Sequence, residues 1–361
     1  MTADAASPPL WTADLPGVAG RIKEHCEDFE VEEIPAYEPS GEGDHLYLWV
    51  QKRDVGAEYL ARLLAKKLDI RSDDIGTAGM KDRRAVTRQW VSVPAKAEPL
   101  VGAIDDELVQ VLKVSRHVNK LRAGHLRGNR FRVLVRGIGE PTHGIALKNI
   151  VDRIAATGLP NYYGPQRFGH DGETGRWGLA LLRGERIEAG EGQRAPNLRN
   201  SFLKRLVLSA GQSVMFNAVL GQRVRDGLFR SVLDGDVMAK WPFGGMFVAE
   251  DVPAEQARFD ARETVTAGPI FGRKTFKAAG TAAERERQVF DTFGLKPTAF
   301  DGFGKLVEGT RRHNVIYFDD MSIEWRAEGA WLSFALPAGS YATVLLREVM
   351  KTDVEGEATD E

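Results

Sequence analysis

The 361-residue chain has a single cysteine, no long apolar run and almost no net charge. One cysteine, Cys26, excludes an intramolecular disulfide, a cysteine-rich zinc site and a Cys-x-x-Cys redox pair. A lone cysteine can be a nucleophile, but it is more often a small packing residue. No stretch approaches 18 consecutive apolar residues, and the first residues lack the basic and apolar regions of a secretory signal. We therefore expect a cytoplasmic protein that does not bind membranes.

Metal-binding and nucleotide-binding motifs are missing as well. The seven histidines show neither H-E-x-x-H nor His-x-His spacing, and there is no G-x-x-x-x-G-K-[ST] run. The sequence therefore gives no support to a metal site or to nucleotide hydrolysis by a P-loop.

The charges are balanced overall but lie in blocks. Lys plus Arg is 49 and Asp plus Glu is 51, which by itself argues against a general nucleic-acid binder. However, residues 20–49 contain nine acidic and two basic residues, whereas residues 113–136 contain eight basic residues and no acidic one. Two strands with a loop between them would present several of these cations on one surface, which suits phosphate groups. A solvated charged face is the ordinary alternative.

The residue pattern predicts a mixed chain of strands and helices. Strands are expected at 45–53, 88–94, 107–114, 130–137, 313–318 and 331–336, and helices at 55–68 and at about 141–157, 199–228 and 340–350. The stretch 187–310 differs in character: it opens with a loop, carries a long helix and continues with poorly periodic, glycine-rich segments. This indicates a domain inserted into another. We predict a catalytic domain made of residues 20–186 and 311–352, an insertion at 187–310, and flexible termini at 1–19 and 353–361.

Three segments carry residues suited to chemistry. GTAGMKDRRAVTRQWVSV (76–93) places Asp82 among Lys81, Arg83 and Arg84 after a run of small residues, and these cations favour the ionised carboxylate. An aspartate paired with arginines in a surface turn would give the same pattern. The segment FALPAGSYATVLLRE (334–348) reads as a strand, a turn and a helix, with Ser340 as a candidate N-cap.

The third segment, GLPNYYGPQRFGHDGETGRWG (158–178), combines adjacent aromatic residues with an amide and an arginine. Aromatic rings stack on bases, amides hydrogen-bond to base edges, and arginines bind phosphates. The alternative is a glycine-rich loop whose aromatic side chains fill the core.

The motifs AGMKDR (78–83), NYYGPQRFG (161–169) and LPAGSYATVLLRE (336–348) resemble the three signature motifs of the TruD family of tRNA pseudouridine synthases. Residues 23–53 are similar to the N-terminal region of that family, and the resemblance covers roughly residues 20–352 in the same order. It implies an α+β fold: a pseudouridine synthase core with a mixed, largely antiparallel sheet and flanking helices, plus an inserted α/β domain.

The resemblance also implies an activity and a set of site residues. The expected reaction isomerises a uridine of tRNA, uridine-13 in this family, to pseudouridine without cofactor or metal. Asp82 matches the nucleophile, Lys23 and Lys81 match basic residues near it, and Phe29, Asn161, Tyr163 and Tyr341 match positions at the target uridine. Phenylalanine is frequent at the positions of Tyr163 and Tyr341, so this chain adds two hydroxyl groups that need partners.

Basic side chains are the natural candidates for contact with the tRNA backbone. The candidates are Arg116, Lys120, Arg122, Arg127, Arg130 and Arg167.

The chain is expected to be a monomer or to associate weakly. An aspartate could attack the sugar at C1′ or add to the base at C6, and the sequence does not distinguish these routes.

Two other functions fit parts of the sequence. A non-catalytic RNA-binding protein would use the basic block but would not require the AGMKD segment. A hydrolase with a carboxylate nucleophile and a small substrate would use the aspartate but would not require the basic block. The intact AGMKD segment therefore favours an enzyme, and the basic block favours an RNA substrate.

Overall fold

The computed structural model describes residues 8–187, 196–318 and 320–352. The α-helices are α1 (Ala57–Lys67), α2 (Glu140–Thr157), α3 (Glu173–Arg183), α4 (Ser201–Arg225), α5 (Val252–Asp260), α6 (Gly280–Thr292) and α7 (Ala342–Met350). The strands are β1 (Phe29–Pro35), β2 (His45–Arg53), β3 (Gly76–Thr77), β4 (Val86–Pro94), β5 (Val109–His117), β6 (Leu126–Arg136), β7 (Leu159–Pro160), β8 (Val237–Lys240), β9 (Met246–Val248), β10 (Thr264–Ile270), β11 (Thr310–His313), β12 (Val315–Ile316), β13 (Ser322–Arg326) and β14 (Gly329–Pro337).

The chain divides into two compact units. The large-sheet unit contains residues 18–151, 318 and 320–340, and the small-sheet unit contains residues 8–17, 152–187, 196–317 and 341–352. These bounds differ from those of the predicted catalytic domain and insertion, which stay a prediction.

An eight-stranded sheet forms the large-sheet unit. Its order is β13-β14-β6-β1-β4-β2-β5, with β3 added beside β4. The pair β1/β4 is parallel, and the other pairs in this sheet are antiparallel. The predicted mixed, largely antiparallel sheet is therefore confirmed.

The core of this unit is built from side chains that point to one face of each strand. In β2, Leu46, Leu48 and Val50 are fully buried, and they pack against Leu60 and Leu64 of α1. Successive side chains of a strand point to opposite faces, so every second residue meets the helix. The predicted strand at 45–53 and helix at 55–68 are both confirmed to within two residues at each end.

The small-sheet unit is built around the long helix α4, which is buried over most of its length. A four-stranded antiparallel sheet has the order β11-β10-β8-β9, and β7 pairs with β12 separately. The strand predicted at 313–318 is wrong as a single element. The peptide group of Asn314 donates to Thr266 O and accepts from Asn161 N–H, so the chain changes partners between β11 and β12.

The chain termini differ from the predicted flexible segments where they are described. Glu348 of α7 accepts hydrogen bonds from Trp11 N, Thr12 N and Thr12 Oγ1, and the last two contacts are buried. Residues 8–12 are therefore packed, because a buried carboxylate fixes their backbone. Residues 1–7 and 353–361 lie outside the described residues.

Helix α7 begins differently from the prediction. Its N-cap is Tyr341 and not Ser340, and the Tyr341 side chain caps no backbone N–H. The inward positions Leu345, Leu346 and Val349 are fully buried, as predicted. In the described ranges, the helices are all too short or too polar to cross a membrane.

Candidate active site

The segment that carries Asp82 joins β3 to β4 and is held by close backbone packing. Any β-carbon on Gly76 would lie 2.3 Å from the carbonyl oxygen of Leu121, so only glycine fits at this position. Gly124 N donates to Ala78 O at 2.8 Å. The loop between β5 and β6 is thus fastened to the segment that leads into Asp82.

Asp82, Lys23 and Phe29 lie together in the large-sheet unit. Lys23 Nζ is 3.5 Å from Asp82 Oδ1 and 4.3 Å from the centroid of the Phe29 ring. The Asp82 side chain keeps 22% of its surface exposed, whereas that of Lys23 keeps 9%. A partly accessible carboxylate with a lysine ammonium group beside it is an arrangement suited to a nucleophile.

Lys81 points away from solvent and pairs with a buried glutamate. Its Nζ donates to Glu33 Oε2 at 2.9 Å, and both side chains are at least 97% buried. Burial raises the pKa of Glu33 above its usual value, while the charge and hydrogen bond of Lys81 act in the opposite direction. Oε1 of Glu33 has no hydrogen-bond partner among the described residues.

A second buried lysine contacts the backbone of the same segment. Lys52 of β2 is 1% exposed, and its Nζ donates to Val55 O at 2.5 Å and to Asp82 O at 2.8 Å. Lys81 O lies at 3.5 Å, the limit of a hydrogen bond. Burial lowers the pKa of Lys52 to about 8, although the charge of Asp82 opposes this shift.

The small-sheet unit holds the other predicted contact residues in a cluster of aromatic rings and arginines. The Arg312 guanidinium lies over the Tyr163 ring at 4.1 Å, and the Tyr163 and Tyr341 rings meet edge to face at 6.0 Å. Arg167 lies 5.6 Å from the Tyr163 ring and donates to the hydroxyl groups of Ser209 and Ser213. Burial raises the pKa of Tyr341, an effect that Arg167 and Arg312 oppose.

Asn161 is oriented within this cluster by two partners. Arg312 Nη2 donates to Asn161 Oδ1 at 2.6 Å, and Asn161 Nδ2 donates to His313 O at 3.0 Å. Tyr163 is held through its backbone, because Asn217 bonds to both its N–H and its C=O. The structure therefore brings together four of the predicted site residues, Asn161, Tyr163, Arg167 and Tyr341, and their roles stay a prediction.

The predicted basic surface is wrong in one respect. Strands β5 and β6, which flank the basic loop, are separated in the sheet by β2, β4 and β1. The cations of the two strands are thus spread along the sheet, and several pair with acids. Arg116 pairs with Glu98, and in the antiparallel register of β1 and β6 Arg130 pairs with Glu32.

Three residues that contact the predicted site residues were not predicted from the sequence: Lys52, Glu33 and Arg312. Lys52 and Glu33 stand at inward positions of their strands, in phase with Val50 and Val31. A charged residue at a position where the alternation of the strand predicts an apolar one could have indicated them. Arg312 lies in the four-residue strand β11, which is too short to show such a periodicity. Its contact with Asn161 joins positions 151 residues apart, which no local pattern shows.

Comparison with known proteins decides the family. A family model for tRNA pseudouridine synthase D (TruD) matches residues 8–192 and 191–349. The chain belongs to the TruD family. It is therefore an isomerase, as the resemblance of the motifs predicted.

Individual relatives cover nearly the whole chain. A tRNA pseudouridine synthase D of Anaeromyxobacter dehalogenans is 44% identical over 96% of this chain and 97% of its own length. A tRNA pseudouridine synthase D of Thermus thermophilus is 41% identical, over 96% and 92%. A crystal structure of a Methanosarcina mazei protein assigned to TruD superimposes with a TM-score of 0.76 at 25% identity, covering 96% of this chain and 97% of that one.

Within the described residues, no group of three or more His, Cys, Asp or Glu side chains could hold a metal ion.

The single cysteine, Cys26, is half-buried. Burial raises the pKa of its thiol, which disfavours the thiolate.

Proposed function

We propose that this chain converts a uridine of tRNA, uridine-13, to pseudouridine, with the Asp82 carboxylate as nucleophile and the base flipped out of its stack. Membership of the TruD family supports the reaction and the tRNA substrate. The observation that carries the assignment of Asp82 is its partly exposed carboxylate, which Lys23 faces at 3.5 Å.

The reaction balances without another reactant. The bond between N1 and C1′ breaks, a bond between C5 and C1′ forms, and the hydrogen lost from C5 is replaced by one at N1. Asp82 either attacks C1′ while the base departs as an anion, or adds to C6 before the base rotates, and both routes regenerate the carboxylate. Substrate and product are isomers, so no oxidant, reductant or group donor is consumed.

Each remaining residue has a proposed role. Lys23 orients the Asp82 carboxylate through their ion pair, and Lys81 fixes the same segment through Glu33. Phe29, Asn161, Tyr163 and Tyr341 contact the target uridine. A flipped base loses a few kcal/mol of stacking and pairing, which contacts with aromatic rings offset.

The basic residues predicted to contact the tRNA backbone differ in whether they already have a partner within the protein. Arg122 and Arg127 are exposed and pair with no carboxylate among the described residues, so they can bind phosphate without losing an ion pair. Lys120 donates to the carbonyl of Asp73, and Arg116 and Arg130 are paired with glutamates. We therefore rank Arg122 and Arg127 above the others. The expected cytoplasmic location and monomeric state stay predictions.

A tRNA transcript tests the position of the product. Purified protein is incubated with a transcript that carries uridine at position 13 and with a control transcript that carries cytidine there, and pseudouridine is mapped in both. We expect pseudouridine at position 13 of the first transcript and none in the second. Pseudouridine at another position would contradict the assignment of uridine-13, and its absence from both would contradict the function.

A further inference from the structure

A buried lysine of the large sheet contacts the backbone of the segment that carries Asp82. Lys52 extends from β2, in phase with Leu46, Leu48 and Val50, and ends under the segment between β3 and β4. An amine has three N–H donors when protonated. Here they are directed at the carbonyl oxygens of Val55, Asp82 and, more distantly, Lys81.

Burial of the Lys52 ammonium group destabilises the protein unless its contacts compensate for the lost hydration. A lysine is almost never fully buried without a paired charge, because its ammonium group loses hydration. The carboxylate partner in this part of the core, Glu33, already pairs with Lys81. Lys52 instead uses backbone carbonyls and the nearby charge of Asp82.

We infer that Lys52 is a positioning residue, which holds the backbone of Asp82 so that the carboxylate keeps the place required for attack. The inference rests on the proposed function. Its geometric basis is the hydrogen bond of 2.8 Å from Lys52 Nζ to Asp82 O, which fixes the main chain from which the nucleophile extends. A nucleophile displaced by about 1 Å loses roughly 100-fold in rate.

The hydrogen bonds from Lys52 Nζ to the backbone carbonyl oxygens depend on the protonation of its amine. The charged groups that act on it are Asp82 and Asp54, which favour the ammonium form, and Lys81, which disfavours it. With the pKa lowered to about 8, Lys52 is mostly protonated at pH 7 and loses a donor and its charge as the pH rises through 8. Positioning should therefore weaken in mildly alkaline solution.

Two variants test this role, with kcat and KM for pseudouridine formation measured on the tRNA transcript between pH 6 and about 9.5. Lys52→Met removes all three donors. We expect its kcat at pH 7 to fall roughly 100-fold with KM little changed. The decline in kcat above pH 8 that we expect of the wild type should be absent from this variant. Lys52→Arg keeps donors and charge throughout this range, so its kcat should not decline near pH 8.

Thr87→Val is the matched control. Thr87 lies opposite Lys52 in the register of β2 and β4, is fully buried, and its hydroxyl has no hydrogen-bond partner among the described residues. We expect this variant to keep the wild-type kcat and pH profile.

Two results would overturn the inference while leaving the proposed function intact. One is a Lys52→Met enzyme with wild-type kcat and pH profile, and the other is a reduced kcat with an unchanged alkaline decline, which marks a purely structural role. If Lys52→Met does not fold, an alkaline decline that persists in Lys52→Arg has the same meaning. A wild-type protein that forms no pseudouridine would contradict the proposed function itself.

Discussion

Two charged side chains of the large-sheet unit occupy positions that alternation reserves for apolar residues. Glu33 follows Phe29 and Val31 on the inner face of β1, and Lys52 follows Leu48 and Val50 on the inner face of β2. Both act on the segment that carries Asp82, Glu33 through the side chain of Lys81 and Lys52 through backbone carbonyls. At the scale of single residues, the segment that carries Asp82 is thus held by buried polar contacts.

Glu33 offers a test at this scale, because the adjacent residue Glu32 faces solvent. Glu33→Gln leaves the buried Lys81 without its counter-ion, and we expect the free energy of unfolding to fall by about 3 kcal/mol. Glu32→Gln loses only exposed ion pairs with Arg88 and Arg130 and should change it by less than about 1 kcal/mol. Urea unfolding of both variants measures the difference. Equal effects would contradict the described burial of the Glu33 pair.

At the scale of elements, the acidic and basic blocks neutralise each other across paired strands. Glu30 and Glu32 of β1 lie opposite Arg132 and Arg130 of β6, with N–O distances of 3.1 and 3.2 Å, and Arg88 of β4 approaches the same two glutamates from the other side. The strands themselves were predictable from alternation. Their order was not, because local pattern does not encode which strands pair.

The loop between β5 and β6 carries Arg122, which is exposed and pairs with no carboxylate among the described residues. Leu121 N donates to Ser92 Oγ at 2.9 Å and Gly124 N to Ala78 O, which fixes the loop beside the Asp82 segment. Arg122 and Arg127, in and just after this loop, are both exposed. We therefore expect tRNA phosphates to bind here.

The salt dependence of tRNA binding tests this loop. Each cation that contacts a phosphate contributes to the slope of log affinity against log salt. Arg122→Gln and Arg127→Gln should each weaken binding and reduce that slope by about 1. Arg130→Gln, the paired control, should leave the slope unchanged. A slope lowered by Arg130→Gln but not by the other two would contradict the ranking.

At the scale of the whole molecule, the near-zero net charge says little about the partner, since it arises from blocks that pair locally. Motifs in the sequence were sufficient to predict the family and the mixed sheet. They also identified Lys23 and Phe29 near Asp82, and Asn161 and Tyr341 near Tyr163, but not Lys52 or Glu33. Arg312, the packed residues 8–12 and the break at Asn314 were not predictable, because each depends on contacts between distant parts of the chain.

The central claim is that the Asp82 carboxylate performs the isomerisation, and the most direct measurement is pseudouridine formation by Asp82→Asn on the tRNA transcript. Asparagine keeps the shape of aspartate but lacks the charge and nucleophilicity. We predict wild-type tRNA affinity and no pseudouridine, with normal turnover by Asp69→Asn, an exposed aspartate in left-handed backbone that asparagine tolerates. Wild-type turnover by Asp82→Asn would contradict the account.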